Sequence, residues 1–265
     1  MRKLLIVAVC LIAVGVSACK KQNQQKETEV LEKKVEKNTF VVGLDDSFPP
    51  MGFRDSNNQI IGFDVDLARE VAKRLNLELV LQPIDWNSKE LELENNNIDC
   101  IWNGLSYSPA RAEAMQLSKP YLANRMIIIV KANSDIVNKN NLEGKNVAVQ
   151  SGSTALQALE NDPISSKVKK VEYENNVLAL SDLKIGRADA VIMDEIVARY
   201  QISQEKNEYR LLDDALSQEV YVIGFKKGNI ALKDKVENVL QQMSQDGSSS
   251  NISTKWFGED ILLKD

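Results

Sequence analysis

From Thr39 onward, short apolar runs alternate with segments of helical periodicity. Thr39-Phe40-Val41-Val42-Gly43 and Leu77 to Leu81 read as strands. Between them Leu67, Ala68, Val71, Ala72 and Leu75 recur at three- and four-residue intervals, one stripe of an amphipathic helix with Asp64 as its N-cap. A Glu/Asn-rich helix near Lys89 to Glu94 leads to a third strand at Asp99-Cys100-Ile101-Trp102. Met126 to Val130 is apolar throughout, as expected of a strand buried on both faces. The pattern then returns. Val147-Ala148-Val149 predicts a strand, Thr154 to Leu159 a helix opening after Ser151-Gly152-Ser153, and Val168 to Tyr173 a strand. Asn176 to Ile185 predicts a helix, Ala190 to Met193 a strand running into another helix, and Tyr221 to Phe225 a last strand. Helix Ile230 to Met243 and Trp256-Phe257 close the chain. Such alternation predicts an α/β protein with largely parallel sheets, and two series of it predict two lobes.

The first 38 residues follow a different rule. Arg2 and Lys3 precede an uncharged run from Leu4 to Val16, thirteen residues against the roughly 20 a spanning helix needs, which fits the core of a signal peptide. It ends in Val16-Ser17-Ala18-Cys19, which resembles the bacterial lipobox and implies a signal peptide over 1–18 with lipid on Cys19. An ordinary secretory signal cut after Ala18 is the alternative. Residues 19–38 are nearly all Lys, Gln, Glu and Asn with few aliphatics, the composition of a solvated tether. An extracytoplasmic protein, lipid-anchored in the cell envelope, is the expectation.

Composition narrows the chemistry. The 265 residues include no His, which rules out Ser-His-Asp and Cys-His machinery and an imidazole metal set. Net charge is −5, and losing Arg2 and Lys3 with the leader takes it to −7, the wrong sign for nucleic acid. No cofactor and no metal are expected. Of three cysteines only Cys19 and Cys100 lie beyond residue 18, and a lipidated Cys19 leaves no disulfide. Cys100, alone in an apolar strand, reads as a core residue.

Several segments carry a resemblance. Gly62-Phe63-Asp64-Val65-Asp66-Leu67 with Val71-Ala72 and Leu75, Asp45-Asp46-Ser47-Phe48-Pro49-Pro50, and Asp99 to Ser106 are three of them. Ser108-Pro109-Ala110-Arg111, Gln150-Ser151-Gly152-Ser153-Thr154, Gly186 to Val191 and Lys255-Trp256-Phe257-Gly258 are the others. Together, in this order, they resemble the polar amino-acid-binding proteins of bacterial ABC importers, extracellular solute-binding protein family 3, in lipoprotein form. The resemblance implies a two-lobed periplasmic-binding-protein type II (Venus-flytrap) fold, with two crossovers near Tyr121 to Arg125 and Ser217 to Tyr221. Lobe 1 would be residues 39–123 plus 220–265, and lobe 2 residues 124–219. It also implies a monomer with no chemistry of its own that traps a free amino acid between the lobes and delivers it to an ABC permease.

A free amino acid presents a carboxylate and an ammonium. Arg111 is the carboxylate partner the resemblance implies; its planar fork suits both oxygens. Ser108 reads as an N-cap with Pro109 at the first helical position, which puts Arg111 in the first turn, where a cation opposes the helix dipole. Ser153 and Thr154 open the next helix and would hold the same carboxylate, since helix N-termini present unpaired N–H groups. Thr154 stands where relatives often have Gly. Asp194, at the carboxyl end of a strand, would take the ammonium with the Gly104 carbonyl and the Ser106 hydroxyl, or else cap the following helix. Phe48 and Trp86 would wall the side-chain pocket, or pack in the core. Asp45 would meet the ligand side chain. With Asp46, Asp194 and Glu195 nearby the pocket reads as acid-rich, favouring a polar neutral or basic amino acid. Two other classes stay open: a ligand-sensing module for a separate receptor, and a dehydratase-type enzyme on the same fold.

Overall fold

The computed structural model describes residues 38–264. The expected signal peptide, Cys19 and the tether up to residue 37 lie outside the described residues. From Thr39 the chain lays down β1 (Thr39–Leu44), then a small sheet of β2 (Ser47–Phe48), β3 (Gly52–Arg54) and β4 (Ile60–Ile61). Helix α1 (Phe63–Arg74) buries Leu67, Ala68, Val71 and Ala72, the predicted stripe. β5 (Glu78–Pro83), a 3-10 turn at Trp86–Ser88, α2 (Lys89–Glu94) and β6 (Cys100–Ser106) complete the first α/β series. After α3 (Pro109–Ala114) and β7 (Gln116–Leu117) comes the long β8 (Leu122–Lys131). A second series follows: β9 (Asn146–Gln150), α4 (Thr154–Asn161), β10 (Lys169–Tyr173), α5 (Asn176–Lys184), β11 (Ala190–Asp194) and α6 (Glu195–Gln204). β12 (Tyr209–Phe225) returns, and α7 (Ile230–Gln245) and α8 (Ser248–Phe257) finish the fold.

The main sheet runs β10-β9-β11-β8-β12-β6-β1-β5. It is mixed rather than largely parallel. Within each series the strands are parallel, β1 with β5 and β6, and β9 with β10 and β11. The pairings β11–β8, β8–β12 and β12–β6 are antiparallel. Parallel neighbours need a helical crossover, whereas β8 and β12 travel between the two series as extended chain and so meet their neighbours head to tail. Periodicity is blind to strand direction, which is why the sequence pattern does not show this.

β8 explains its own composition. Met126, Ile128 and Val130 enter one core, with Leu142, Val147, Val149, Ile164 and Ile192. Ile127 and Ile129, on the opposite face, enter another that also takes in Phe40, Val71, Trp102 and Tyr221. Alternation across a strand with apolar neighbours on both sides yields an unbroken apolar run. β12 is much longer than the predicted Tyr221 to Phe225, spanning 17 residues. Its first half has no apolar alternation; pairing with β8 makes it a strand, with register breaks between Leu211 and Ala215 and between Ala215 and Ser217.

Asp64 does not cap α1. Gly62 holds the N-cap position without a side-chain cap, and the Phe63 and Asp64 N–H groups are satisfied instead by the Pro50 and Met51 carbonyls, at 2.8 and 3.0 Å. The Asp64 carboxylate turns inward. It accepts from the Gly104 N–H at 2.7 Å and from the Tyr121 hydroxyl at 2.9 and 3.0 Å, tying α1 to β6 and to the start of the β8 crossover.

Candidate functional site

All nine predicted ligand-binding residues, Asp45, Phe48, Trp86, Gly104, Ser106, Arg111, Ser153, Thr154 and Asp194, line one narrow cavity, joined by Asn103 and Gln150. Asp45, Phe48, Trp86, Asn103, Gly104, Ser106 and Arg111 come from the β1–β5–β6 side. Gln150, Ser153, Thr154 and Asp194 come from the β9–β11 side.

Arg111 arrives as the local sequence requires. Ser108 caps α3, its hydroxyl accepting the Arg111 N–H at 3.3 Å, and Pro109 occupies the first turn. The guanidinium is 5% exposed and donates to two carbonyls, Ser106 at 2.7 Å and Gly152 at 3.4 Å. Neither partner carries a charge. Burial lowers its pKa, while Glu90, Glu219 and Asp194 oppose the shift from a distance. An arginine stays protonated all the same, so a buried cation faces the cavity with donors to spare.

Ser153 is the N-cap of α4, accepting the Leu156 N–H at 3.2 Å and donating to the Gln150 carbonyl at 2.7 Å. The Thr154 hydroxyl donates to Glu219 Oε2 at 2.9 Å, so its side chain is committed to β12.

Asp194 ends β11 at 5% exposure and makes no capping bond to α6, which removes the helix-cap reading. Its Oδ1 accepts from Asn124 Nδ2 at 2.7 Å and from the Tyr221 hydroxyl at 2.6 Å. Both donors sit on crossover strands. Burial pushes the carboxyl up to about 7, with Glu219 adding to the rise. An arriving cation would restore the ionised form.

Asp45 lies between the two sides. Its Oδ1 accepts from the Ser47 N–H at 2.8 Å and its Oδ2 from Gln150 Nε2 at 2.9 Å; burial raises its pKa. Its own N–H donates to Asn103 Oδ1 at 3.1 Å, while Asn103 Nδ2 is buried without a partner among the described residues. Phe48 and Trp86 are 6% and 8% exposed. Gly104, at φ +56°, is required as glycine because a Cβ there would stand 2.8 Å from Phe48 Cε1. Trp102 packs edge-on against Tyr121 in the core, and Cys100 is free and fully buried.

The acid-rich expectation needs correction. Asp46 is bound by Arg54 at 2.5 Å, and Glu195 by Arg125 and Arg199, which hold its carboxyl down at about 2. Neither lines the cavity; Asp45 and Asp194 do. Asp45 and Asp46 lie in the turn between β1 and β2, where Asp45 is buried and Asp46 stays partly exposed beside Arg54. Sequence reasoning missed Asn124, Tyr221 and Glu219, which orient the acids and Thr154 from β8 and β12. Asn103 and Gln150 fall within two of the segments that carry the resemblance, with no role assigned to either.

Residues 40–259 match the family described as Bacterial extracellular solute-binding proteins, family 3. The chain belongs to this family. It shares with these binding proteins the two-lobed α/β fold, and family membership sets it among binders rather than enzymes. The family 3 chain is 28% identical over 258 residues to the L-cystine-binding protein TcyJ of Escherichia coli K12, covering 97% of this chain and 94% of that one. It is 30% identical over 258 residues to the arginine-binding extracellular protein ArtP of Bacillus subtilis 168, covering 96% of each. A crystal structure of an ABC uptake transporter substrate-binding protein from Streptococcus pneumoniae with bound histidine superposes with TM-score 0.83 at 31% identity, over 92% of this chain and 100% of that one.

Proposed function

We propose that this family 3 protein captures a free amino acid in the cleft and passes it to an ABC permease. The observation that carries the reading is a buried cation and a buried anion, Arg111 and Asp194, lining one cavity from opposite sides of the main sheet. Arg111, with Ser153 and Thr154 at the start of α4, takes the carboxylate. Asp194, the Gly104 carbonyl and the Ser106 hydroxyl take the ammonium. Phe48 and Trp86 wall the side chain, and Asp45 with Asn103 and Gln150 meets its polar end. A carboxylate at that end favours a basic or polar neutral amino acid. That arginine, histidine and cystine are the ligands named for relatives is in keeping with this.

In this reading the lobes are residues 39–123 plus 220–265 and 124–219, and the ligand favours closure because it touches both. Cys19 carries the lipid that keeps the protein at the membrane beside its permease, as a monomer. A thermal-shift panel of the twenty amino acids on refolded protein tests the ligand. A binder at 100 times its dissociation constant adds about 2.7 kcal/mol of stability. In Arg111→Ala the shift disappears although the protein melts cooperatively; a retained shift would overturn the assignment.

A further inference from the structure

Lys89 opens α2, a segment of alternating Glu and Leu that reads as a solvated face, yet it is 4% exposed. Its ammonium does not line the cavity. It donates instead to the Trp86 carbonyl at 2.9 Å and, across the cleft, to the Gly152 carbonyl at 3.3 Å. It also lies 5.3 Å from the Trp86 ring centroid and 3.5 Å from the Glu90 carboxylate. The Gly152 carbonyl is the same one that receives Arg111 at 3.4 Å, so two cations from one side of the cleft converge on a single oxygen of the other. Gly152 sits at φ +66°, where a Cβ would come within 2.6 Å of Asn87 Oδ1, so the Gly152 backbone lies close against the Asn87 side chain.

Burying an ammonium is unfavourable unless acceptors surround it. A leucine in its place would pack α2 with no such demand. What the lysine adds is a donor that reaches both sides, on the loop before α4 and on the turn that carries a wall of the pocket. We propose that Lys89 is a positioning residue: an interlobe latch that clamps the Gly152 carbonyl to the Trp86 turn when the cleft shuts, and so sets how slowly ligand leaves. The inference rests on the amino-acid-binding reading for its meaning, while its contacts involve protein atoms alone. Lys89 lies beside the site without touching the ligand, so its loss acts on dissociation more than on association.

The test uses the full chain as wild type, Lys89→Met and Lys89→Arg. Hydrogen exchange is read at residues 151–154, with and without L-arginine, and L-arginine release is timed by stopped-flow tryptophan fluorescence. Lys89→Met should speed exchange at 151–154 by about tenfold, and ligand release by a similar factor with association within about twofold, in keeping with loss of one charged hydrogen bond. Lys89→Arg should restore most of both. A purely local role in packing α2 would leave the loop on the other side of the cleft unmoved. Unchanged exchange at 151–154 in Lys89→Met, in both conditions, would overturn the latch. If wild type fails to bind L-arginine, the ligand preference falls, and the exchange comparison still decides the role of Lys89.

Discussion

Asp64 and Asp194 occupy matching environments and end in different roles. Both are buried, both have carboxyls pushed up to about 7 by loss of water, and both accept a tyrosine hydroxyl at the crossovers. Those tyrosines, Tyr121 and Tyr221, pack with ring centroids 6.3 Å apart. The difference lies in what stands on the open side of each acid. Around Asp64 the Gly104 N–H, Tyr121 and apolar core close the shell. Asp194 has its two donors behind it and the cavity in front. Burial and a raised pKa therefore mark both a structural tie and a cavity-facing group. Only the cavity separates them.

Substitution at the two acids is the sharpest way to break this comparison. Asp194→Asn should weaken binding of the amino acid identified by the panel by 100-fold or more, about 3 kcal/mol, because the ligand ammonium loses its charged partner in a desolvated site. Asp64→Asn should change the dissociation constant by less than about threefold and lower the melting temperature, since a buried tie loses an acceptor. Calorimetric titration of both variants checks this, and equal losses of affinity would erase the distinction.

The pH dependence sharpens it. For each aspartate the folded value of about 7 stands above the ordinary 3.8, so the fold favours the neutral carboxyl. Between those values the folded state holds protons that the unfolded chain has released. The stability from these groups is thus full below about pH 4, falls as pH rises toward 7, and is level above it. Affinity runs the opposite way, because an ammonium needs Asp194 ionised. Below pH 7 the dissociation constant should worsen by up to about tenfold per unit. Titrations from pH 5 to 8 should show that slope in Asp64→Asn and lose it in Asp194→Asn.

The smallest expected effect is at the far end of the cleft. Both Asp45 oxygens already accept, from Ser47 and Gln150, whereas Asn124 and Tyr221 share Oδ1 of Asp194, so Asp45 has less to offer a ligand. Asp45→Asn should cost a basic amino acid about tenfold in affinity and a neutral one little, read from paired titrations with arginine and glutamine. Equal losses for both would move side-chain selection to Asn103 or Gln150.

Much of this was legible before any coordinates. The stripe in α1, the unbroken apolar run of β8 and the Ser108-Pro109 start that delivers Arg111 are local rules, each obeyed within a few residues. Resemblance supplied the rest of the site, and all nine of its residues meet around one cavity. Less could be read wherever a partner lies far along the chain. Asp64 looked like a cap because the sequence does not show that the Pro50 and Met51 carbonyls serve its helix instead. Asp46 and Glu195 looked like pocket acids because adjacency in sequence says nothing of the arginines that neutralise them. The Glu/Asn-rich pattern around Lys89 does not show its burial, because part of its shell is the Gly152 carbonyl, 63 positions away.

Composition and periodicity alone were enough for the α/β class, two series of elements, the absence of histidine chemistry and the starts of α3, α4, α5 and α7, since these depend on composition or on contacts within a turn or a strand. Assembly settled the directions of β8 and β12, the length of β12, and which carboxylates face the cavity and which meet an arginine. Those outcomes turn on desolvation and hydrogen bonding between residues that the fold brings together, such as Tyr121 with Asp64, 57 positions apart, and Gln150 with Asp45, 105 apart. A buried charge has no meaning until the fold decides what surrounds it.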